Sequence, residues 1–331
     1  MKNKLENVLF INTGGGIGDA LSSLPVLIHI NKNFFPKNIF YYSTDLEKFW
    51  YEEVLLEFKP KNLITIKNFP LHYGFKNQKS KKNISKNLID LFNFDYFDLI
   101  IDNQTRLKNT LVYKKIPHKY YISPCINFFL SKPFFFIKKE KNVTLRLIKY
   151  LNKILKTEEN PNYKIKIPEH FIKAAKELMP NNKNYIGFSI TAGHPSRIKE
   201  FNLYEIIKLS NYYSKTHVPT FFIENKYKEL KDLLKKEVKN SFFPEELVKN
   251  NMRKPMFVTA LGSLTEFNIT IDNGVSHMLS FSGNKNYHFY NDYSKKFKPN
   301  NKNSVIFDCK LNNNRIDLLK FEEILEFIKN N

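Results

Sequence analysis

Short apolar runs alternate along this chain with stretches whose apolar residues recur every three to four positions. Residues 7–12, 38–43, 62–66, 97–102 and 119–123 read as strands. Between them, 18–32, 85–93 and 105–115 have helical spacing, and a further helix over 142–155 closes this half. The stretch 156–170 is polar, holds two prolines and breaks the pattern, so a linker is expected at 158–168 between an N-terminal domain, 1–157, and a C-terminal domain, 169–331. Alternation then resumes, with strands at 185–190, 218–224, 267–272, 287–291 and 304–308. Helices fall at 202–214, 227–236, 255–264, 275–283 and 315–330. Strands separated by helices predict an α/β protein with parallel sheets, here two Rossmann-like halves facing each other across a cleft. Ligands of such sheets bind at the carboxyl ends of the strands.

One segment departs from the alternation. Residues 126–141, "INFFLSKPFFFIKKEK", set aromatics beside lysines, as interfacial membrane contacts do. Because the chain holds 31 Phe, such clusters are expected anyway, and an ordinary buried loop is the reading adopted.

Charge changes the picture more than composition does. The 53 Lys and Arg against 32 Asp and Glu leave a formal net charge of +21, which favours anionic partners. The lysines are scattered rather than gathered in a tract and no aromatic RNA-binding motif is present, so no nucleic acid partner is expected. Cys125 and Cys309 have no metal-type spacing, which suits a reducing compartment. No signal peptide or spanning apolar run is evident, so a cytoplasmic protein is expected, with a peripheral contact to the inner face of the membrane as one use of its charge.

The densest candidate chemistry is "VLFINTGGGIGDALSSLPVL", residues 8–27. Counted from Gly14, the sixth position of a dinucleotide fingerprint is Asp19 rather than glycine, and no P-loop lysine follows. The G-x-G-x-G spacing at Gly14, Gly16 and Gly18 resembles the glycine loop of S-adenosylmethionine-dependent methyltransferases, although Asn12 stands where those enzymes carry an acid. Asp19 falls in the first turn of a helix, where the dipole stabilises a carboxylate and where that carboxylate repels a phosphate. It is then either a helix cap or a general base for a hydroxyl that must lose its proton, and the loop alone leaves both open.

Four segments in order resemble glycosyltransferase family 9, the bacterial lipopolysaccharide heptosyltransferases. "GGIGDALSSLPVL" resembles the family's N-terminal motif, and "FDLIIDNQTRLKNTLV" its next segment, with Asp98, Asp102 and Gln104 in step. "IGFSITAGHPSRIKEFNLYEI" places Lys199 on the family's lysine, and "TIDNGVSHMLSFSG" aligns Asp272, Gly274 and His277. Departures include Thr191-Ala192-Gly193 in place of a proline-glycine pair and Asn273 in place of a threonine.

The resemblance implies a GT-B fold and an inverting, metal-independent transfer of a heptose-like sugar, in cell-envelope polysaccharide synthesis. The donor would be a nucleoside-diphosphate sugar, ADP-linked, and the acceptor a saccharide or lipid-linked saccharide; no cofactor or metal is implied. Asp19 would then be the base, with Gly15, Gly16, Gly18 and Gln104 forming the acceptor-side loop. Lys199, Thr191, Arg197, Asp272, Asn273, Gly274 and His277 would hold the donor, and Glu224 its ribose. His194 shares the loop of Lys199. His277 remains open between nucleotide contact and buried structural histidine. Two rivals stand beside this reading: a methyltransferase using Gly14 to Gly18, and a non-catalytic relative of the transferases.

Overall fold

The computed structural model describes residues 5–12, 17–42, 63–66, 95–103, 105–138, 140–191, 200–248, 252, 254–291, 298–309 and 315–331. The chain forms two compact units, Met1–Asn162 and Tyr163–Asn331.

In the first unit five strands, β1 (Asn7–Ile11), β2 (Asn38–Tyr42), β3 (Leu63–Ile66), β4 (Phe97–Asp102) and β5 (His118–Ile122), pair in parallel in the order β3-β2-β1-β4-β5. The central strands are near-continuous apolar runs because helices cover both faces of a parallel sheet. Leu9, Ile11, Phe40, Phe97 and Ile100 are buried together in the core. The helix α1 (Ile17–Phe34) buries residues around most of its circumference, so its pattern is apolar rather than amphipathic. Pro25 within it withholds one helical donor. Close to that gap Thr144 Oγ1 donates to the Ser22 carbonyl at 2.6 Å and fastens helix α3 (Val143–Leu155) to α1. Between β4 and β5 lies α2 (Leu107–Tyr113).

Asp98, part of the segment that resembles family 9, works at the start of the sheet. Its carboxylate accepts the backbone N–H groups of Glu6 (2.8 Å) and Asn7 (3.0 Å) and clips the entry of β1 to β4.

The second unit begins with α4 (Glu169–Leu178), a helix that the strand-and-helix pattern left inside the start of the C-terminal domain without an element. Phe171 and Ala175, one turn apart, are its buried positions. Then follow β6 (Tyr185–Ser189), α5 (Leu203–Tyr213), β7 (Val218–Phe221), α6 (Lys228–Glu237), the short α7 (Pro244–Leu247), α8 (Pro255–Gly262) and β8 (Phe267–Ile271). The unit ends with α9 (Gly274–Ser280), β9 (Lys285–Tyr290), β10 (Ser304–Asp308) and α10 (Phe321–Lys329). Its strands are also all parallel, in the order β10-β9-β8-β6-β7.

Three expectations need correction. The helix expected over 315–330 splits into a single 3-10 turn, Ile316–Leu318, and α10. Ile316 and Leu319 both insert into the core there, Lys320 turns extended, and Glu323 caps its N–H at 2.8 Å. The segment 126–141 is not a buried loop: Ile126, Phe129, Phe134 and Phe136 are all more than half exposed. The strand expected over 218–224 ends at Phe221. The helix expected over 85–93 lies outside the described residues.

Candidate functional site

In an open parallel sheet the strand order reverses at one point, and the loops leaving the carboxyl ends of the two strands there diverge and leave a crevice. In the first unit that point lies between β1 and β4, and in the second between β6 and β8. Each carries a polar cluster.

At the first, Asn12 follows β1 and is fully buried. Its amide donates to the Asp19 carbonyl (3.0 Å) and to the Tyr41 hydroxyl (2.9 Å), tying the strand end to the first turn of α1. Ser22 Oγ donates to the same Asp19 carbonyl at 2.8 Å. The backbone of Asp19 is thus held by two side chains, and the residue itself is half-buried, as is Gly18. Asp102 ends β4 with no exposure at all. One of its carboxylate oxygens accepts from Thr110 Oγ1 (2.7 Å), the Tyr121 hydroxyl (3.0 Å) and Ser123 Oγ (3.1 Å). Burial and the adjacent Asp102 charge push the Tyr121 hydroxyl far above its ordinary pKa, so it is a permanent donor. This constellation lashes β4, α2 and β5 together.

At the second switch point the turn after β8 is held by Asn273. Its Oδ1 accepts the Ser276 N–H at 2.8 Å as the N-cap of α9. Its amide donates to Ser189 Oγ (2.8 Å) and to the Thr191 carbonyl (3.0 Å). One side chain therefore clips the carboxyl end of β6 to that of β8, and brings Thr191, Asp272 and Gly274 to the same edge of the sheet. Beneath them Ser276 Oγ and the Tyr290 hydroxyl bond at 2.6 Å. Tyr290 is pushed well above the ordinary phenol range by burial, with the Asp272 charge adding to it.

His277, on the next turn position of α9, is buried. A second histidine that sequence reasoning did not single out, His288 of β9, lies within electrostatic reach of it. His288 is fully buried between Thr270 Oγ1, at 2.6 Å from Nδ1, and Ser304 Oγ, at 3.0 Å from Nε2. Desolvation pushes its pKa down to about 3, so the imidazole is neutral. In the sequence Asn286, His288 and Tyr290 recur at every second position of a strand, which places them on one face without showing that the face is buried.

Glu224 follows β7, the edge strand of the second sheet, and is exposed with its carboxylate 2.8 Å from Lys226 Nζ. Gly15, Gly16, Gln104, His194, Arg197 and Lys199 lie outside the described residues. Among the described residues no group of three or more His, Cys, Asp or Glu side chains is placed to hold a metal ion, and no helix is long and apolar enough to cross a membrane. Cys125 and Cys309 are both buried.

Neither a protein-family model nor a curated protein matches this chain. Solved structures do. A family 9 glycosyltransferase from Veillonella parvula superposes with a TM-score of 0.72 at 15% identity, over 100% of this chain and 98% of its own. The E. coli heptosyltransferase WaaC, solved with ADP-2-deoxy-2-fluoro heptose, superposes at 0.68 and 15% identity, over 98% of this chain and 99% of its own. This is the family 9 glycosyltransferase fold. The E. coli ADP-heptose lipopolysaccharide heptosyltransferase II shares it at a TM-score of 0.62 and 14% identity, over 98% of this chain and 97% of its own. The superposition covers both parallel sheets of this chain, not a single Rossmann domain. Folds host many chemistries, so a functional reading has to be argued from the residues at the two switch points.

Proposed function

We propose that the protein is an inverting, metal-independent glycosyltransferase that moves a heptose-like sugar from a nucleoside-diphosphate donor, ADP-linked, to a saccharide or lipid-linked acceptor. The observation that carries this reading is Asp19: a half-buried acid in the first turn of α1, beside the switch point of the first sheet, with its backbone fixed by Asn12 and Ser22. An acid in that place suits a sugar hydroxyl and repels a phosphate.

In the reaction Asp19 takes the acceptor hydroxyl proton as that oxygen bonds to the anomeric carbon from the face opposite the donor's diphosphate. The bond from the anomeric carbon to the diphosphate oxygen breaks, and the diphosphate leaves with the electron pair. Configuration inverts. Without a metal, the growing negative charge must meet protein donors. Lys199 supplies a cation, with Arg197 beside it in sequence, and Thr191, Asn273 and the backbone N–H of Gly274 line the end of the second sheet. Asp272 and Glu224 are assigned to donor hydroxyls, and His277 to holding α9 beneath the nucleotide. Gly15, Gly16, Gly18 and Gln104 form the acceptor side. Positioning the two reactants contributes much of the rate, roughly 7–11 kcal/mol in well-oriented systems. The work is placed in the cytoplasm, beside an anionic membrane surface, in cell-envelope polysaccharide synthesis.

The test is thermal stabilisation by a panel of nucleoside diphosphates, nucleotide sugars and S-adenosylmethionine, with Lys199→Ala in parallel. Stabilisation by ADP that weakens in the variant supports the transferase. Stabilisation by S-adenosylmethionine alone would overturn it, and silence across the panel would leave the non-catalytic relative.

A further inference from the structure

Among the described residues four phenylalanines are exposed, and three of them, Phe129, Phe134 and Phe136, lie within eight residues of one loop. Ile126 joins them, so the loop shows water four large apolar side chains that are 54–69% exposed. Globular chains scatter such residues singly; a cluster marks an interaction surface.

These side chains are held out, not left loose. Three successive residues, Ile126, Asn127 and Phe128, have left-handed backbone with φ of 45°, 52° and 68°. A β-branched residue such as isoleucine avoids that region unless its surroundings impose it. The imposing group is Arg146 of α3, itself buried, whose guanidinium donates to the Pro124 carbonyl and to Asn127 Oδ1, both at 3.0 Å. The same guanidinium lies 5.3 Å from the centre of the Phe128 ring, which stacks on Tyr150 at 4.4 Å. The loop is pinned again where Lys132 exchanges backbone hydrogen bonds with Tyr121 (3.0 and 2.7 Å), where Ser131 Oγ accepts the Ser123 N–H (3.0 Å) and where Asn127 Nδ2 donates to the Ile137 carbonyl (3.0 Å). Phe128 and Ile137 are the buried anchors, Phe135 packs half-buried edge-on against Tyr150 at 5.7 Å, and Ile126, Phe129, Phe134 and Phe136 face out. Next to the loop, α2 packs on the Cys125–Phe128 turn and exposes Leu107 and Leu111, one helical turn apart.

The charge around this cluster has one sign. Between Ser123 and Lys153 the sequence holds seven Lys or Arg against one acid, Glu140. Glu140 pairs with Lys149. Lys132, Lys138 and Lys141 are exposed beside the aromatics. Rigid aromatics ringed by lysines match an anionic bilayer interface, where the rings enter the headgroup boundary and the ammonium groups stay with the phosphates. The loop leaves the carboxyl end of β5, so it lies at the same edge of the first sheet as Asn12 and Asp19.

We propose that the loop from Ile126 to Lys141 is a membrane-docking surface that inserts Phe129, Phe134 and Phe136 into the interface of an anionic bilayer. It deepens the functional reading above, because a lipid-linked acceptor would then reach the sheet edge that carries Asp19. The experiment is co-flotation of the whole chain with vesicles of phosphatidylcholine and phosphatidylglycerol, and with vesicles of phosphatidylcholine alone. The protein is expected to float with the anionic vesicles. Phe129→Ser and Phe136→Ser should each weaken that binding about tenfold, the effect of withdrawing one largely exposed ring from an apolar phase. Their thermal midpoints should not move, since neither ring is in the core.

No flotation, or serine variants that float as well as the original, would overturn the proposal. So would adsorption that vanishes with salt, is matched by RNA and ignores the phenylalanines. Self-association lost in Phe129→Ser without any vesicle binding would assign the face to a second copy of the chain, and would equally refute it. ADP stabilisation, measured on the same serine variants, should persist. If it is absent while flotation holds, the transferase reading fails and the docking surface stands; the reverse result separates them the other way.

Discussion

Asn273→Ala tests the clip that organises the second switch point. The side chain makes three hydrogen bonds: it caps α9 through the Ser276 N–H and donates to Ser189 Oγ and the Thr191 carbonyl. Losing an N-cap costs about 1 kcal/mol. Each of the other two bonds contributes about 1 kcal/mol, and Ser189 is wholly buried. The variant should therefore open β6 and α9 more easily by about 2–3 kcal/mol. Asn273→Asp divides that sum. A carboxylate keeps the cap and adds a favourable charge at the helix start, and the Ser189 hydroxyl can turn to donate to it, but it faces the Thr191 carbonyl without a proton to give. Its cost should be about 1 kcal/mol. Hydrogen exchange of the amides in β6, β8 and α9 reads these local openings directly. A loss below about 0.5 kcal/mol in the alanine variant is what an unimportant surface contact would show, and would refute the clip. An aspartate variant as damaged as alanine would show that the cap contributes nothing.

Four further outcomes follow from the same contacts. His288 is neutral in the folded chain down to about pH 3, whereas in the unfolded chain it protonates near 6.5; stability attached to it is complete above pH 6.5 and falls as pH drops toward 3. Between pH 7 and pH 5 the loss should be about 2 kcal/mol in unfolding experiments, and largely absent in His288→Gln. A Cβ on Gly187 would come within 2.0 Å of Asn268 Oδ1 and 2.7 Å of the Phe222 ring, so Gly187→Ala should lower stability in denaturant titration by about 1–3 kcal/mol. Asp102→Ala leaves Thr110, Tyr121 and Ser123 without their shared acceptor and should cost about 3 kcal/mol by the same titration. Asp19→Asn should leave ADP stabilisation intact while sugar transfer falls on the order of 10²–10⁴-fold; an unchanged rate would return Asp19 to a helix cap.

The strands were legible because each is a short apolar run with a turn at either end, and their alternation with helices specifies parallel pairing. The helix α4 was harder to read, because only Phe171 and Ala175 face inward and its surroundings look like linker. The last helix broke at Leu319 because Ile316, in a 3-10 turn, and Leu319, in extended backbone, both serve the core, which periodicity cannot distinguish from a helical face. At the candidate site, Asp19, Asp272 and Asn273 were visible as polar residues at strand-to-helix turns. His288 was hidden inside a strand, where a polar residue at every second position reads as a solvated face rather than a buried one.

The sequence by itself determined the two α/β halves, the positions of their turns and the surplus of positive charge, since these depend on local pattern and composition. It could place Asp98 and Asp102 in one motif but not separate them: one clips the start of β1 and the other gathers three hydroxyls at the far end of β4, because a step of four residues along the strand carries them toward opposite ends of it. Only the tertiary structure decided which strands sit beside each other, and with that where each sheet has its switch point. It also decided that the aromatic loop faces outward. Arg146, from a helix later in the chain, pins its backbone, and a constraint that distant in sequence leaves no trace in the loop's own residues.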